Sequence, residues 1–159
     1  MKLLVMSDSH RNIDHMRQAV EKTGPDAVLH LGDHLSDAQA LSQLLPDLSF
    51  YMVRGNCDFY GAGEDDLLLT LRSARVFMTH GHAYGVKRGI DAFIKHARAL
   101  GVDVALYGHT HRALVRREYG LWIMCPGQME RNGKNSPASY GIVTIENGNV
   151  NCEIGALDI

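Results

Sequence analysis

Two imidazoles, His109 and His111, stand one residue apart at the end of an apolar run, in the stretch Tyr107-Gly108-His109-Thr110-His111. A turn leaving the end of a strand can aim both rings into one small space, and neutral imidazole is the commonest metal ligand. A lone His-x-His turn is more often a pair of solvated histidines than a site. Here four other segments repeat the form, each an apolar run ending in small, acidic, amide or imidazole residues: Asp8-Ser9-His10, Gly32-Asp33-His34, Gly55-Asn56-Cys57-Asp58 and His80-Gly81-His82. Asp8, His10, Asp33, Asn56, His80, His109 and His111 make seven hard or borderline donors, too many for one small ion. A structural zinc site closes with four ligands, thiolates usually among them. Carboxylate, amide and imidazole donors suit Mn2+, Fe2+, Zn2+ or Ni2+, and two such ions ~3.5–4 Å apart can share one carboxylate. Asp33, alone on its strand, is the expected bridge.

The elements that must position these donors can be read from hydrophobic period and punctuation. Residues 2–7 (KLLVMS) form a short apolar run, too short for a helix, that reads as a buried strand delivering Asp8 and His10. Asn12 is a good helix N-cap; Ile13, Met16, Ala19 and Val20 follow at helical spacing until Gly24-Pro25. Residues 26–31 are the second strand and end in Gly32-Asp33, which completes a βαβ unit with its polar residues at the carboxyl end of the strand, where open α/β sheets bind ligands. A helix over 36–45, with Ser36 as its N-cap, and a strand over 49–53 lead to Arg54-Gly55-Asn56-Cys57-Asp58. The right-handed crossover rule puts all three strand ends on one edge of a parallel sheet.

Beyond an acidic loop at 61–66, strands are expected over 67–71 and 75–79, a helix over 88–100 closed by Gly101, and a strand over 103–107 that feeds the two histidines. From Arg112 on, strands over 113–117, 121–124, 140–146 and 150–154 replace the helical period, with Asn147-Gly148 as a hairpin turn. A long loop of functional length spans 125–138. Parallel βα units followed by an antiparallel tail predict an α/β protein of two mixed sheets packed together with helices outside, a single domain over 1–159.

Hydrophobic residues are 45% of the chain and charged ones 21%, which excludes disorder and a fibrous fold. A formal charge of -2 supplies no broad basic patch and argues against a nucleic-acid partner held by many phosphates. Three irregularly spaced cysteines, Cys57, Cys125 and Cys152, suggest neither a disulfide framework nor a zinc knuckle and point to reducing cytoplasm. Asp8, His10 and Arg11 cut the first apolar run short of a signal peptide or membrane span, so no membrane partner is expected. Edge strands in the tail permit homo-oligomer pairing without indicating it.

Taken in order, Asp8-x-His10, Gly32-Asp33, Gly55-Asn56-x-Asp58, His80-Gly81-His82 and Gly108-His109-Thr110-His111 resemble the calcineurin-like metallophosphoesterase superfamily, and within it the small YfcE-type phosphodiesterase branch. The resemblance implies a four-layer α/β/β/α sandwich and a metal-dependent phosphoric diester hydrolase. It implies that Asp8, His10 and His111 hold one divalent ion, that Asn56, His80 and His109 hold a second, and that Asp33 bridges them. Mn2+ comes first among the metals, with Ni2+, Fe2+, Zn2+ and Mg2+ as alternatives. A metal-bound water or hydroxide would attack the phosphorus of a small or activated phosphodiester in line. Asn56 could also offer its NH2 to a phosphate oxygen, Asp58 would orient an imidazole, and Arg11 and Arg54 could meet substrate phosphate or form salt bridges.

One departure bears on the chemistry. Many members carry a histidine directly after the motif asparagine, as the leaving-group acid; this chain has Cys57. That favours easily departing groups such as aryl oxides, or another acid such as His82, and makes a phosphomonoesterase less favoured. A nuclease is weakened by small size and the absence of a basic groove. A different class, a non-catalytic scaffold like the retromer subunit of this fold, would tolerate lost ligands; none of the seven is lost here. Among other polar residues, His15 and His96 are expected at the surface or rim of helices, His30 in the core, His34 along the cleft, and Glu64-Asp65-Asp66 as a solvated charge run.

Overall fold

In β1 (Lys2–Met6) the side chains alternate between two cores: Leu3 and Val5 enter one, Leu4 and Met6 the other, and all four are fully buried. A strand can do this only when both faces of its sheet are covered, and the whole architecture follows from that double burial. The computed structural model describes residues 1–59, 63–130 and 137–158. Among them the chain continues through α1 (Ile13–Thr23), β2 (Ala27–His30), α2 (Leu35–Leu44), β3 (Ser49–Met52), β4 (Asp66–Leu71), β5 (Ala74–Thr79), a 3-10 turn at His82–Tyr84, α3 (Asp91–Leu100), β6 (Val104–Leu106), β7 (Leu114–Glu118), β8 (Leu121–Cys125), β9 (Ser139–Glu146) and β10 (Asn149–Ala156).

The strands form two five-stranded sheets, in the orders β10-β9-β1-β2-β3 and β4-β5-β6-β8-β7. Between the sheets lies a core in which Leu3, Val5, Leu29 and Leu31 meet Val76, Met78, Leu106 and Met124. Outside the first sheet, Met16 and Ala19 of α1 and Ala38 and Leu41 of α2 pack on Leu4, Met6 and Val28. Outside the second, Phe93, Ile94 and Ala97 of α3 pack on Phe77, Ala105 and Ile123. This is the α/β/β/α sandwich. β1, β2 and β3 run parallel, and so do β5, β6 and β8, so each sheet gathers its strand ends along one edge.

Several local expectations are corrected by the packing. The tail is not wholly antiparallel: β9 and β10 join the first sheet, whereas β7 and β8 join the second, with β8 parallel to β6. α2 begins at Leu35 rather than after Ser36, with His34 in its N-cap position at φ 63°. Asn12 occupies the N-cap of α1, but its side chain turns back to donate to the carbonyls of Ser9 and His10 at 3.2 and 3.4 Å instead of capping the helix. α3 starts at Asp91, three residues later than its apolar period suggests, because Gly89, at φ 148°, takes the chain off the helical path. Residues 61 and 62 of the acidic loop and 131–136 of the long loop lie outside the described residues. No helix among those described is long and apolar enough to cross a membrane.

Candidate metal centre

The strand ends of both sheets converge on one edge and bring six of the expected donors into two groups. Asp8, His10, Asp33 and His111 each offer one ligand atom, all mutually within 4.8 Å; Asp33, His80 and His109 do the same. Asp33 belongs to both groups. Asn56 completes the second, its Oδ1 3.0 Å from His80 Nε2.

Lone pairs, not hydrogen-bond pairs, face one another here. His80 is fully buried, and its Nδ1 lies 2.7 Å from the carbonyl oxygen of Leu31. That oxygen takes only a donor, so the proton sits on Nδ1 and Nε2 presents a lone pair. Nε2 then looks at Asn56 Oδ1, at His109 Nδ1 (3.2 Å) and at Asp33 Oδ1 (3.4 Å). In the other group, His10 Nε2 is buried without a hydrogen-bond partner among the described residues, and Asp8 Oδ1 meets His111 Nε2 at 3.0 Å. Acceptors crowded together out of water are unfavourable unless a proton or cation sits between them. The donor set therefore fits divalent metal, which takes neutral imidazole, carboxylate and amide oxygen together.

The ionisation of these groups agrees with ligation in most respects. Burial works to raise the Asp8 carboxyl, but the bond from His111, the neighbouring His80 ring and the Ser7 hydroxyl at 2.6 Å outweigh it, and the group lies below the ordinary carboxylate range. Burial, then the neighbouring His80 ring and the Lys87 ammonium, bring His109 down to about 4, so it is neutral at pH 7. His111 moves the other way: its Nε2 is 3.0 Å from Asp8 Oδ1, and that partner raises its pKa above the usual imidazole value. The same carboxylate thus favours a proton on His111 as it would a cation, which makes metal and proton competitors at that ring.

The backbone of the site is under strain that the sequence does not announce. Asp8, His10, Asp33, His109 and His111 all have left-handed φ, between 43° and 67°. Each such conformation costs an L-residue of order 1–3 kcal/mol and persists only where surrounding contacts impose it. The contacts are carboxylates holding backbone N–H groups. Asp58 Oδ2 accepts from Asp33 N (3.0 Å) and Gly55 N (2.7 Å), and its Oδ1 accepts from Leu35 N (2.8 Å). Asp58 thus fixes the two ligand turns and does not orient an imidazole as expected. Asp37, buried in the first turn of α2, accepts from Ser9 Oγ and from Arg11 N, both at 2.7 Å, and so holds the turn that carries His10. Sequence reasoning missed Asp37; an acid in the first turn of a helix reads there as a dipole partner, and nothing local distinguishes the two roles. Gly55 and Gly108 allow the turns to approach: a Cβ on Gly55 would collide with the Asp33 carboxylate, and one on Gly108 with Ser7 Oγ.

The remaining expected residues fall around the rim. His82 is exposed in the 3-10 turn, with its ring centroid 5.4 Å from that of His80 and 6.2 Å from that of His109. Cys57 is exposed beside Asn56, and desolvation followed by the Asp33 carboxylate pushes its thiol up to about 11. Arg11 is exposed after His10. Arg54 takes the salt-bridge alternative, with Nε and Nη2 at 2.6 and 3.1 Å from the carboxylate of Asp65. Asp66 accepts from Tyr84 Oη at 2.8 Å, so the acidic run is not merely solvated. His30 is a core residue as expected, bonded to Ser9 Oγ and to Gly32 N. His34 lies edge-on to His10, ring centroids 4.9 Å apart, along the cleft. His15 is tied to the carbonyl of Met129 at 2.7 Å, which seats it more firmly than a rim position would suggest, and His96 is exposed against Phe77 and Tyr84.

Residues 1–148 match the family model described as the calcineurin-like phosphoesterase superfamily domain. The chain belongs to that superfamily. It is 35% identical over 151 residues to the probable metallophosphoesterase YsnB of Bacillus subtilis, covering 92% of this chain and 86% of that one. It is 26% identical over 170 residues to the phosphodiesterase YfcE of Escherichia coli, with 90% and 87% covered, which places it beside the YfcE-like branch. A predicted phosphoesterase from Streptococcus pneumoniae has the same phosphoesterase fold at a TM-score of 0.82 and 25% identity, over 98% of this chain and 88% of that one.

Proposed function

We propose that this phosphoesterase-fold protein is a metal-dependent phosphodiesterase that hydrolyses a small or activated phosphodiester at a site for two divalent cations. The observation that carries the reading is the pair of donor groups sharing Asp33. Asp8, His10 and His111 would hold one ion, Asn56, His80 and His109 the other, and Asp33 would bridge them. Mn2+ is the first metal to try, and a cytoplasmic setting goes with the reduced cysteines. When bound, the ions lower the pKa of coordinated water and polarise phosphoryl oxygens, the chemistry an in-line hydrolysis needs.

What this chain's own residues contribute follows from where they sit. Asn56 keeps Oδ1 toward His80 while its Nδ2 faces outward beside Cys57 Sγ at 3.5 Å, free to turn to a phosphate oxygen of a bound diester. Arg11, on the turn after His10, is a second contact for that anion. His82, at the mouth beside His80 and His109, is the proton donor to the leaving oxygen. Cys57, with a thiol pKa of about 11, is a weak acid in that role, so the preferred diesters have leaving groups, such as aryl oxides, that depart without much help. Kinship with proteins named phosphodiesterase and metallophosphoesterase supports hydrolysis over the scaffold reading.

The test is hydrolysis of bis-p-nitrophenyl phosphate and of p-nitrophenyl phosphate by metal-stripped protein resupplied with Mn2+, Ni2+, Zn2+ or Mg2+, together with bound-metal analysis. Expected are diesterase activity above monoesterase activity, two ions per chain, and loss of turnover in Asp33→Ala and Asn56→Ala. Two ions bound with no turnover under any metal would favour the scaffold.

A further inference from the structure

Beside the His109–His111 turn lies an open pocket of about 610 Å³ that the proposed ligands do not use. Thr110, between the two histidines, forms part of its wall, so the pocket lies beside the turn that carries two of the proposed ligands. Val86, Tyr107, Ala113 and Leu114 give it an apolar lining, and Lys87 and Arg112 stand in it as cations. Both are exposed, no residue lining the pocket is acidic, and neither has an ion-pair partner among the described residues. Arg54, Arg98 and Arg116, by contrast, are paired with Asp65 or Glu118. The position of Lys87 is set by the fold: Val86 is buried against Gly81, where a Cβ would press on both Val86 methyl groups, and this seats the loop against the end of β5.

Size and chemistry together define an occupant. A cavity of about 150 Å³ lined by apolar side chains holds a benzene ring, so this one has room for an aryl or heterocyclic body and a further group. An apolar wall recognises the body, and two unpaired cations in a water-accessible rim recognise an anion at its far end. We propose that this pocket receives the retained ester arm of the substrate, and that the arm is a flat apolar group ending in a second anion, a carboxylate or a phosphate. This rests on the phosphodiesterase reading and specifies its substrate class. In the reaction water adds to phosphorus, the other arm leaves as its oxide, and the anionic arm stays behind as the monoester.

The experiment uses mixed diesters of p-nitrophenyl phosphate whose second arm is 4-carboxyphenyl, 4-carbamoylphenyl or 4-phosphonooxyphenyl, with the full chain loaded with metal. The quantity read is the ratio of kcat/KM for each anionic arm to that for the carbamoyl arm, which cancels any general loss in a variant. The wild type is expected to favour the anionic arms, and Lys87→Ser and Arg112→Ser each to reduce the ratio roughly threefold to fivefold, the size of a charge pair at a solvated rim. The double variant is expected near unity, and Lys87→Glu below it. Comparing carboxylate with phosphate identifies which anion the rim prefers. Binding is read separately by titrating 4-carboxybenzylphosphonate and its carbamoyl analogue into the protein while following the methyl NMR signals of Val86 and Leu114. Those signals are expected to shift, with the carboxylate binding tighter. A wild-type ratio near one, a ratio that survives the double substitution, or unmoved Val86 and Leu114 signals overturns the assignment. Selective binding without turnover would uphold the pocket and refute the hydrolytic reading beneath it; turnover without arm selectivity would do the opposite.

Discussion

Asp58→Ala removes one acceptor from three backbone N–H groups at once, those of Asp33, Leu35 and Gly55, at 3.0, 2.8 and 2.7 Å. Two of them flank the consecutive left-handed residues Asp33 and His34, at φ 58° and 63°. A hydrogen bond to a charged acceptor contributes about 1.5–3 kcal/mol, so three give roughly 4.5–9 kcal/mol before water re-solvates the freed amides, and about 3 kcal/mol afterwards. The strain in the turn, of order 1–3 kcal/mol for each left-handed residue, then relaxes by moving Asp33, the carboxylate both donor groups share. Stability and metal binding are therefore coupled through one side chain that touches neither imidazole nor substrate. Urea unfolding of the metal-free variant is expected to show the loss of about 3 kcal/mol, and Mn2+ titration a weakening of roughly 10–100-fold, the usual effect of removing a residue that orients a ligand. Asp58→Asn keeps the shape and one acceptor oxygen and is expected to fall between. Wild-type Mn2+ affinity in Asp58→Ala, or a stability change under about 1 kcal/mol, would show that the turns hold themselves and that the account of Asp58 is wrong.

Gly55→Ala drives a Cβ into the Asp33 carboxylate; metal analysis is expected to find fewer than two ions per chain, and a full complement would show that the turns can separate without cost. Cys57→His installs an acid able to protonate an alkoxide, so turnover of alkyl aryl diesters in which the alkyl oxide leaves is expected to rise relative to bis-p-nitrophenyl phosphate; an unchanged ratio would remove leaving-group protonation from this position. Burial holds His30 down to about 4 against an ordinary value near 6.5. Its folded pKa is the lower one, so between about pH 6.5 and 4 the unfolded chain binds more protons and stability falls as pH falls. The loss approaches ~3 kcal/mol, at 1.36 kcal/mol per unit. Metal-free protein unfolded in urea at pH 7 and 4.5 should show this slope, and His30→Gln should flatten it; an equal slope in the variant would assign it to other groups.

The seven donors were legible in the chain because each sits just past a short apolar run, and parallel strands joined by right-handed crossovers send every such end to the same edge. Nothing beyond that rule is needed to bring Asp8, Asp33 and Asn56 together, and the same holds for His80 and His109 in the second sheet. Asp33, the expected bridge because its strand delivers no other ligand of that kind, falls in both donor groups. Local pattern also located β1, β2 and the hairpin at Asn147-Gly148 to within a residue or two.

What packing alone decided lies between residues distant in sequence. Asp37 holds the His10 turn from 28 positions away, and Asp58 fixes the Asp33 turn from 25; in the sequence Asp37 is an ordinary acid at a helix start, and Asp58, though part of a motif, does not show which backbone groups it holds. β8 enters the second sheet parallel to β6, a placement set by burying Met124 between the sheets and Ile123 against α3, which hairpin periodicity cannot foresee. The left-handed turns at His10 and Asp33 are braced by those remote carboxylates. The cationic pocket, likewise, needs Lys87 from one loop and Arg112 from another brought together in one lining. Sequence determines which chemistry each strand end carries, because periodicity and punctuation are local. Tertiary structure determines how those ends are held and what stands beside them, because close approach and shared burial depend on the whole packed chain.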